Sequence, residues 1–195
     1  IARILAAIHN ANLADDARPP KYPSNFDLDL LETLSDEDLR TLALETNRHL
    51  ERLRATDEPT LLSHTDLHPE NVIWKDGQPY LIDWEEACMA FYSFDVIGPA
   101  MNWSGLHADT FAPDQYTAFL LAYKNAYHGP LTCNPELGFW TAMGWGFAWL
   151  THNLRRLNKP NLPPNDIAKH QNASDKVIRV LKSSSIHRNH LTQIQ

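Results

Sequence analysis

Disulfide chemistry has little to work with in this chain. Its two cysteines, Cys88 and Cys133, stand in unrelated contexts with neither a CxxC nor a staple-like spacing, which excludes a disulfide-rich scaffold and fits a reduced, cytoplasmic setting. Long apolar runs are missing too. None approaches the eighteen or so residues of a spanning helix, and the first residues lack the basic-then-apolar pattern of a secretory signal, so no membrane insertion is expected. Basic side chains are in deficit, with 17 Lys and Arg against 24 Asp and Glu and a formal charge of -7. That balance repels a nucleic-acid backbone and favours cationic partners. Ten histidines offset part of it below about pH 6.5.

Apolar material, by contrast, is plentiful: 43% of the residues are hydrophobic and six are Trp, which suits a packed core rather than a disordered chain. Ile1, Ile4, Leu5 and Ile8 read as a helix already in progress, so the chain has the look of a piece of something longer. Residues 10–34, with Pro19, Pro20 and Pro23, read as a connection holding at most one short turn of helix. Ser35 followed by Asp38 resembles a capping box. Leu39, Leu42, Ala43, Thr46, Leu50 and Leu53 then line one side of a helix of roughly 18 residues. Thr60–Ser63, Val72–Trp74 and Tyr80–Ile82 are short apolar pieces, and Asp76-Gly77 between the last two predicts a β-hairpin over Val72–Ile82. Beyond Asp95 the pattern turns helical. Helices are expected from Pro113 through Tyr127, from Glu136 to Leu154, and from near Asn165 through Leu181. Residues 184–195 read as a polar tail that frays.

The informative segment is His64-Thr65-Asp66-Leu67-His68-Pro69-Glu70-Asn71, followed across the hairpin by Leu81-Ile82-Asp83-Trp84-Glu85. A hairpin brings its two ends together, so an acid before it and an acid after it can face one cleft. Mg²⁺ takes oxygen ligands and completes its shell with water and phosphate. Asp83 offers a carboxylate and Asn71 a neutral amide oxygen, which leaves such a metal able to polarise phosphate. Asp66 can accept the hydrogen bond of an incoming alcohol and take its proton late, and phosphoryl transfer needs little more than this positioning and charge stabilisation.

The spacing of His64, Asp66 and Asn71, then Ile82-Asp83-Trp84-Glu85 and Asp95, resembles the aminoglycoside phosphotransferase and choline kinase-like family. The resemblance covers most of residues 1–155, with its motifs confined to 64–95. It implies Asp66 as the catalytic aspartate, Asn71 and Asp83 as Mg²⁺ ligands, and Asp95 as a loop-supporting residue, with His64 and His68 as further site support. It implies ATP as the phosphate donor, with GTP as the lesser alternative. It also implies an α+β architecture: the mainly helical C-terminal lobe of a protein-kinase-like fold, over residues 1–183, with a small β-hairpin at its catalytic edge. The sequence shows neither a glycine-rich phosphate loop before an alternating strand nor a lysine strand paired with a helix glutamate, so a separate N-terminal nucleotide lobe is the implied partner, and the lobe junction is a surface for self-association. The implied function is transfer of phosphate to a hydroxyl of a small cationic molecule.

Other readings of the same residues stay open. Glu85, Glu86 and Trp103 either meet a cationic substrate or are solvated acids and a packing aromatic. Trp140, Trp145 and Trp149 suit either a quaternary ammonium or the core. Asp95 also fits a plain helix cap. His64, Asp66, His68 and Asp83 also read as the metal cluster of a hydrolase, although Asn71 then has no role. A non-catalytic interaction module, or an inactive kinase fragment, is the third reading.

Overall fold

A computed structural model describes residues 1–11, 13, 26–54, 56–108 and 110–193. Helix α1 (Ala2–Asn10) buries Ala2, Leu5, Ala6 and His9. Most of the connection expected over residues 10–34 falls outside the described residues. Its end is the short helix α2 (Leu28–Glu32), where the Asp27 carboxylate accepts the Leu30 N–H at 3.0 Å. Helix α3 (Glu37–Leu53) buries all six of the residues assigned to its inner face. Its cap is Asp36 rather than Ser35. Asp36 takes the extended conformation and accepts the Leu39 N–H at 3.1 Å, which also places Glu37 and Asp38 in the first turn, where the helix dipole favours negative charge.

Two small antiparallel sheets follow. Strands β2 (Val72–Lys75) and β3 (Gln78–Leu81) form the expected hairpin, with Ile73 opposite Tyr80. Its turn holds both Asp76 and Gly77 at positive φ, 52° and 74°, the geometry that a two-residue hairpin turn requires. The other sheet was not anticipated. Strand β1 (Thr60–Ser63) pairs with β4 (Cys88–Phe91), setting Ser63 opposite Cys88, so the segments just before and just after the two motifs are bonded to each other.

The helical core is built around α6 (Pro135–Leu157), which packs on α4 (Tyr92–Trp103), α3 and α7 (Pro164–Ile186). Phe139, Trp140, Met143, Phe147 and Leu150 are buried along it. Trp140 is therefore a core residue, whereas Trp149 is exposed and stacks on His152. Both cysteines are free, and burial pushes the Cys133 thiol up to about 12. Helices α4 and α6 approach closely at Gly138: a Cβ there would lie 2.4 Å from the Ser93 carbonyl oxygen and 2.6 Å from the Ile97 side chain. Gly138→Ala is expected to cost about 1–3 kcal/mol of stability by forcing the helices apart. An unchanged urea midpoint would refute the close approach.

The polar-tail reading of 184–195 is corrected. Helix α7 continues to Ile186, and a further helix, α8 (Arg188–Thr192), follows it. Leu191 is fully buried and its carbonyl accepts the hydroxyl of Tyr116, on α5 (Pro113–Ala126), at 2.7 Å. Arg188 lies 4.5 Å from the Trp140 ring centre and pairs with Glu45 at 2.8 Å. One leucine and one arginine fasten a segment whose average composition is polar, and composition does not register such anchors.

Candidate active site

The loop after β1 is tied to the segment after β3 at three points. His64 is wholly buried, and its Nε2–H donates to the Ile82 carbonyl at 2.8 Å while its ring lies against Trp84. Thr65 donates its hydroxyl to the Glu86 carbonyl at 2.7 Å. The Ile82 N–H donates to the Asn71 carbonyl at 3.1 Å. Two residues inside this clamp hold left-handed backbone, Thr65 at φ 63° and Asp83 at φ 63°. For a β-branched residue such as Thr65 that conformation is an outlier, and such outliers gather where surrounding structure fixes a functional geometry. No local sequence signal points to Thr65, because a Thr preference argues against the conformation it adopts.

Within the loop, Asn71 is buried and its Nδ2 donates to the Asp66 carboxylate at 2.8 Å and to the Asp66 carbonyl at 2.9 Å. A carboxylate only accepts, so this pairing fixes the amide orientation and leaves Asn71 Oδ1 as the atom available to a cation. His68 Nε2 lies 3.4 Å from the other Asp66 oxygen, while His68 Nδ1 accepts the Glu70 N–H at 3.3 Å. Leu67 is buried, and its carbonyl accepts the Trp103 indole N–H at 3.2 Å. Trp103 thus braces the loop from the end of α4.

The His68 imidazole holds the Asp66 carboxyl below its ordinary value, and Asp66 in turn raises His68. The signs set a window. Stabilisation from Asp66 is complete above pH 3.8 and is lost as pH falls through its lowered folded pKa; that from His68 is complete below pH 6.5 and is lost as pH rises through its raised one. The pair is therefore ionised between those limits. In an NMR titration His68 is expected to titrate above 6.5 and to move back toward that value in Asp66→Asn. A His68 pKa unmoved by the substitution would refute the pairing.

Asp83 is exposed and begins the turn Trp84–Glu86, in which Glu85 and Glu86 are exposed as well. The structure brings Asp66 and Asn71 into direct contact and places Asp83 one residue beyond the clamped Ile82. Among the described residues no group of three or more His, Cys, Asp or Glu is placed to hold a metal ion. His64 ties its Nε2–H to a carbonyl, and among the described residues the hydrolase cluster is not assembled. The Asp83 and Asn71 oxygens do suit Mg²⁺, which uses one or two protein carboxylates and fills its shell with phosphate and water. Asp95 bonds to α1 rather than to the motif loop. It is buried in the first turn of α4, where it accepts from His9 Nε2 at 2.7 Å, and His9 Nδ1 accepts the Tyr123 hydroxyl at 2.6 Å. Its contact docks α1 onto α4 and α5. His9 escaped the sequence reading because a lone histidine carries no periodic signal.

Residues 1–140 match the model of the phosphotransferase enzyme family. The chain belongs to that family. Its fold is the C-terminal lobe found in the family's aminoglycoside phosphotransferase and choline or ethanolamine kinase-like members. A homoserine kinase from Gluconobacter oxydans (strain 621H) is 29% identical over 64% of this chain and 43% of its own length. Spectinomycin phosphotransferase, solved with ADP and its antibiotic, superposes with a TM-score of 0.57 at 16% identity, over 94% of this chain and 64% of that one. Plasmodium vivax ethanolamine kinase gives 0.52 at 16% identity, over 97% of this chain and 48% of its own. The chain thus spans about half the length of the relatives it matches. Among the described residues no helix is long and apolar enough to cross a membrane.

Proposed function

We propose that the complete protein transfers a phosphoryl group from ATP to a hydroxyl of a small molecule. The observation that carries this reading is the Asp66–Asn71 contact at 2.8 Å: a half-exposed carboxylate held in place by an amide whose oxygen stays free. Asp66 orients the acceptor hydroxyl and takes its proton as the new P–O bond forms; a carboxylate kept ionised by His68 is suited to late proton transfer. Asp83 and Asn71 Oδ1 would hold Mg²⁺, which when bound neutralises charge on the donor phosphates. Ile73 and Tyr80, paired on the hairpin that leads to Asp83, and Ile82 are exposed, and they offer an apolar bed for the nucleotide base.

The relatives are named for acceptors that share a hydroxyl and a cationic nitrogen, and the proposed acceptor is of that kind. The test is turnover by the complete protein with ATP and Mg²⁺ across L-homoserine, ethanolamine, choline and spectinomycin, with mass spectrometry of each product. A mass increase of one phosphoryl group on one acceptor is expected. Hydrolysis of ATP with no phosphorylated acceptor in a broad panel of small alcohols would overturn the reading.

A further inference from the structure

The acidic balance of the whole chain conceals an opposite balance at one end. Residues 149–195 carry eight Lys or Arg and two Asp or Glu. Helix α7 brings part of this charge to the catalytic loop, since it packs on the turn Leu106–Ala108 that follows Trp103, the residue bracing Leu67. From α7 the Lys176 ammonium reaches Glu70 Oε1 at 3.3 Å. Glu70 is the neighbour of Asn71, and its N–H meets His68, the partner of Asp66. Lys176 is close enough to His68 to oppose the rise in its pKa. Arg179, three residues further along α7, has no ion-pair partner among the described residues.

We propose that Lys176 and Glu70 form an acceptor clamp for a zwitterion, so that the acceptor is a hydroxyl-bearing amino acid rather than a purely cationic alcohol. This rests on the phosphotransferase reading and deepens it. An isolated cation beside the loop would repel ammonium acceptors, and an isolated acid would repel carboxylates. The two together match a molecule carrying both charges. With no acceptor present they satisfy each other. Their side chains are 48% and 68% exposed, and an exposed pair of this kind contributes so little that giving it up for two bonds to an acceptor costs little. Lys176 then takes the carboxylate and Glu70 the ammonium, leaving the hydroxyl end of the acceptor to Asp66. Lys176 and Glu70 touch the acceptor without taking part in the transfer.

The experiment uses the complete protein and three matched probes: L-homoserine, the amino alcohol that lacks its carboxylate, and the hydroxy acid that lacks its ammonium. L-homoserine is expected to bind tightest. Lys176→Met should weaken L-homoserine about tenfold or more and leave the amino alcohol bound as tightly as before or more tightly, since its ammonium no longer competes with Lys176 for Glu70. Glu70→Gln should weaken L-homoserine similarly and spare the hydroxy acid. The KM for ATP should not move in either variant, and circular dichroism confirms the fold. Binding is read by NMR shift titration, with turnover read separately. Saturable binding with this pattern but no phosphorylated product would sink the kinase reading and keep the clamp. Equal affinity for L-homoserine and the amino alcohol in the wild type, or equal losses for all three probes in Lys176→Met, would overturn the clamp.

Discussion

Asp66→Asn in the complete protein is expected to lower kcat about a thousandfold while nucleotide affinity stays within a few-fold of wild type. The substitution is nearly isosteric, and an asparagine Oδ1 can still accept the Asn71 N–H that now meets the carboxylate at 2.8 Å. The loop should therefore keep its shape, held also by the Trp103 indole on the Leu67 carbonyl and by the His64 tie to Ile82. On the proposed mechanism, what disappears is the negative charge that orients an alcohol and receives its proton, a contribution of ~3–5 kcal/mol to the barrier. Pre-steady-state measurement of the transfer step keeps product release from hiding the loss. Wild-type speed for that step in a folded variant would show that Asp66 is not the base.

The motif segment, and the contact between Asp66 and Asn71 within it, was legible because its residues sit at fixed offsets along one short stretch. Asp66 and Asn71 are five apart, within one loop, and the hairpin that joins them to Asp83 has its own turn signature in Asp76-Gly77. The inner faces of α3 and α6 were legible because repetition every three to four residues survives whatever packs against it. What failed was information carried by single long-range partners. Strand β4 exists because Cys88–Phe91 meets Thr60–Ser63, and neither piece shows alternation long enough to announce a strand. Asp95 pairs with His9 across 86 positions, and nothing local marks either as the other's partner. Arg188 and Leu191 likewise turn a polar segment into structure through contacts with Trp140, Glu45 and Tyr116. The ties that hold the motif loop belong to the same class. His64, Thr65 and Asn71 all bond to residues 82–86, but their sequence reads as a motif, not as a set of crosslinks.

Asp83 allows the metal role to be separated from the backbone role, because the residue holds a left-handed conformation that few side chains accept. Its φ of 63° and ψ of 56° are tolerated by Asp and Asn, whereas alanine there costs about 1 kcal/mol or more. Asp83→Asn should therefore keep the turn into Trp84–Glu86 and preserve thermal stability, while Asp83→Ala loses both charge and some stability. If the carboxylate holds Mg²⁺, the two variants should lose turnover alike, by about a thousandfold or more, since the charge that neutralises the donor phosphates would no longer be fixed in place. The Mg²⁺ concentration needed for half-maximal nucleotide binding should rise at least about tenfold in both, an effect on the order of 1.4 kcal/mol. Asp66→Asn gives the contrast, with slow transfer and an ordinary Mg²⁺ requirement expected, because the role proposed for Asp66 is toward the acceptor. If Asp83→Asn instead bound nucleotide with the wild-type Mg²⁺ dependence, and only the alanine variant were impaired, Asp83 would be a turn former, and the metal ligands would have to be sought elsewhere in the protein.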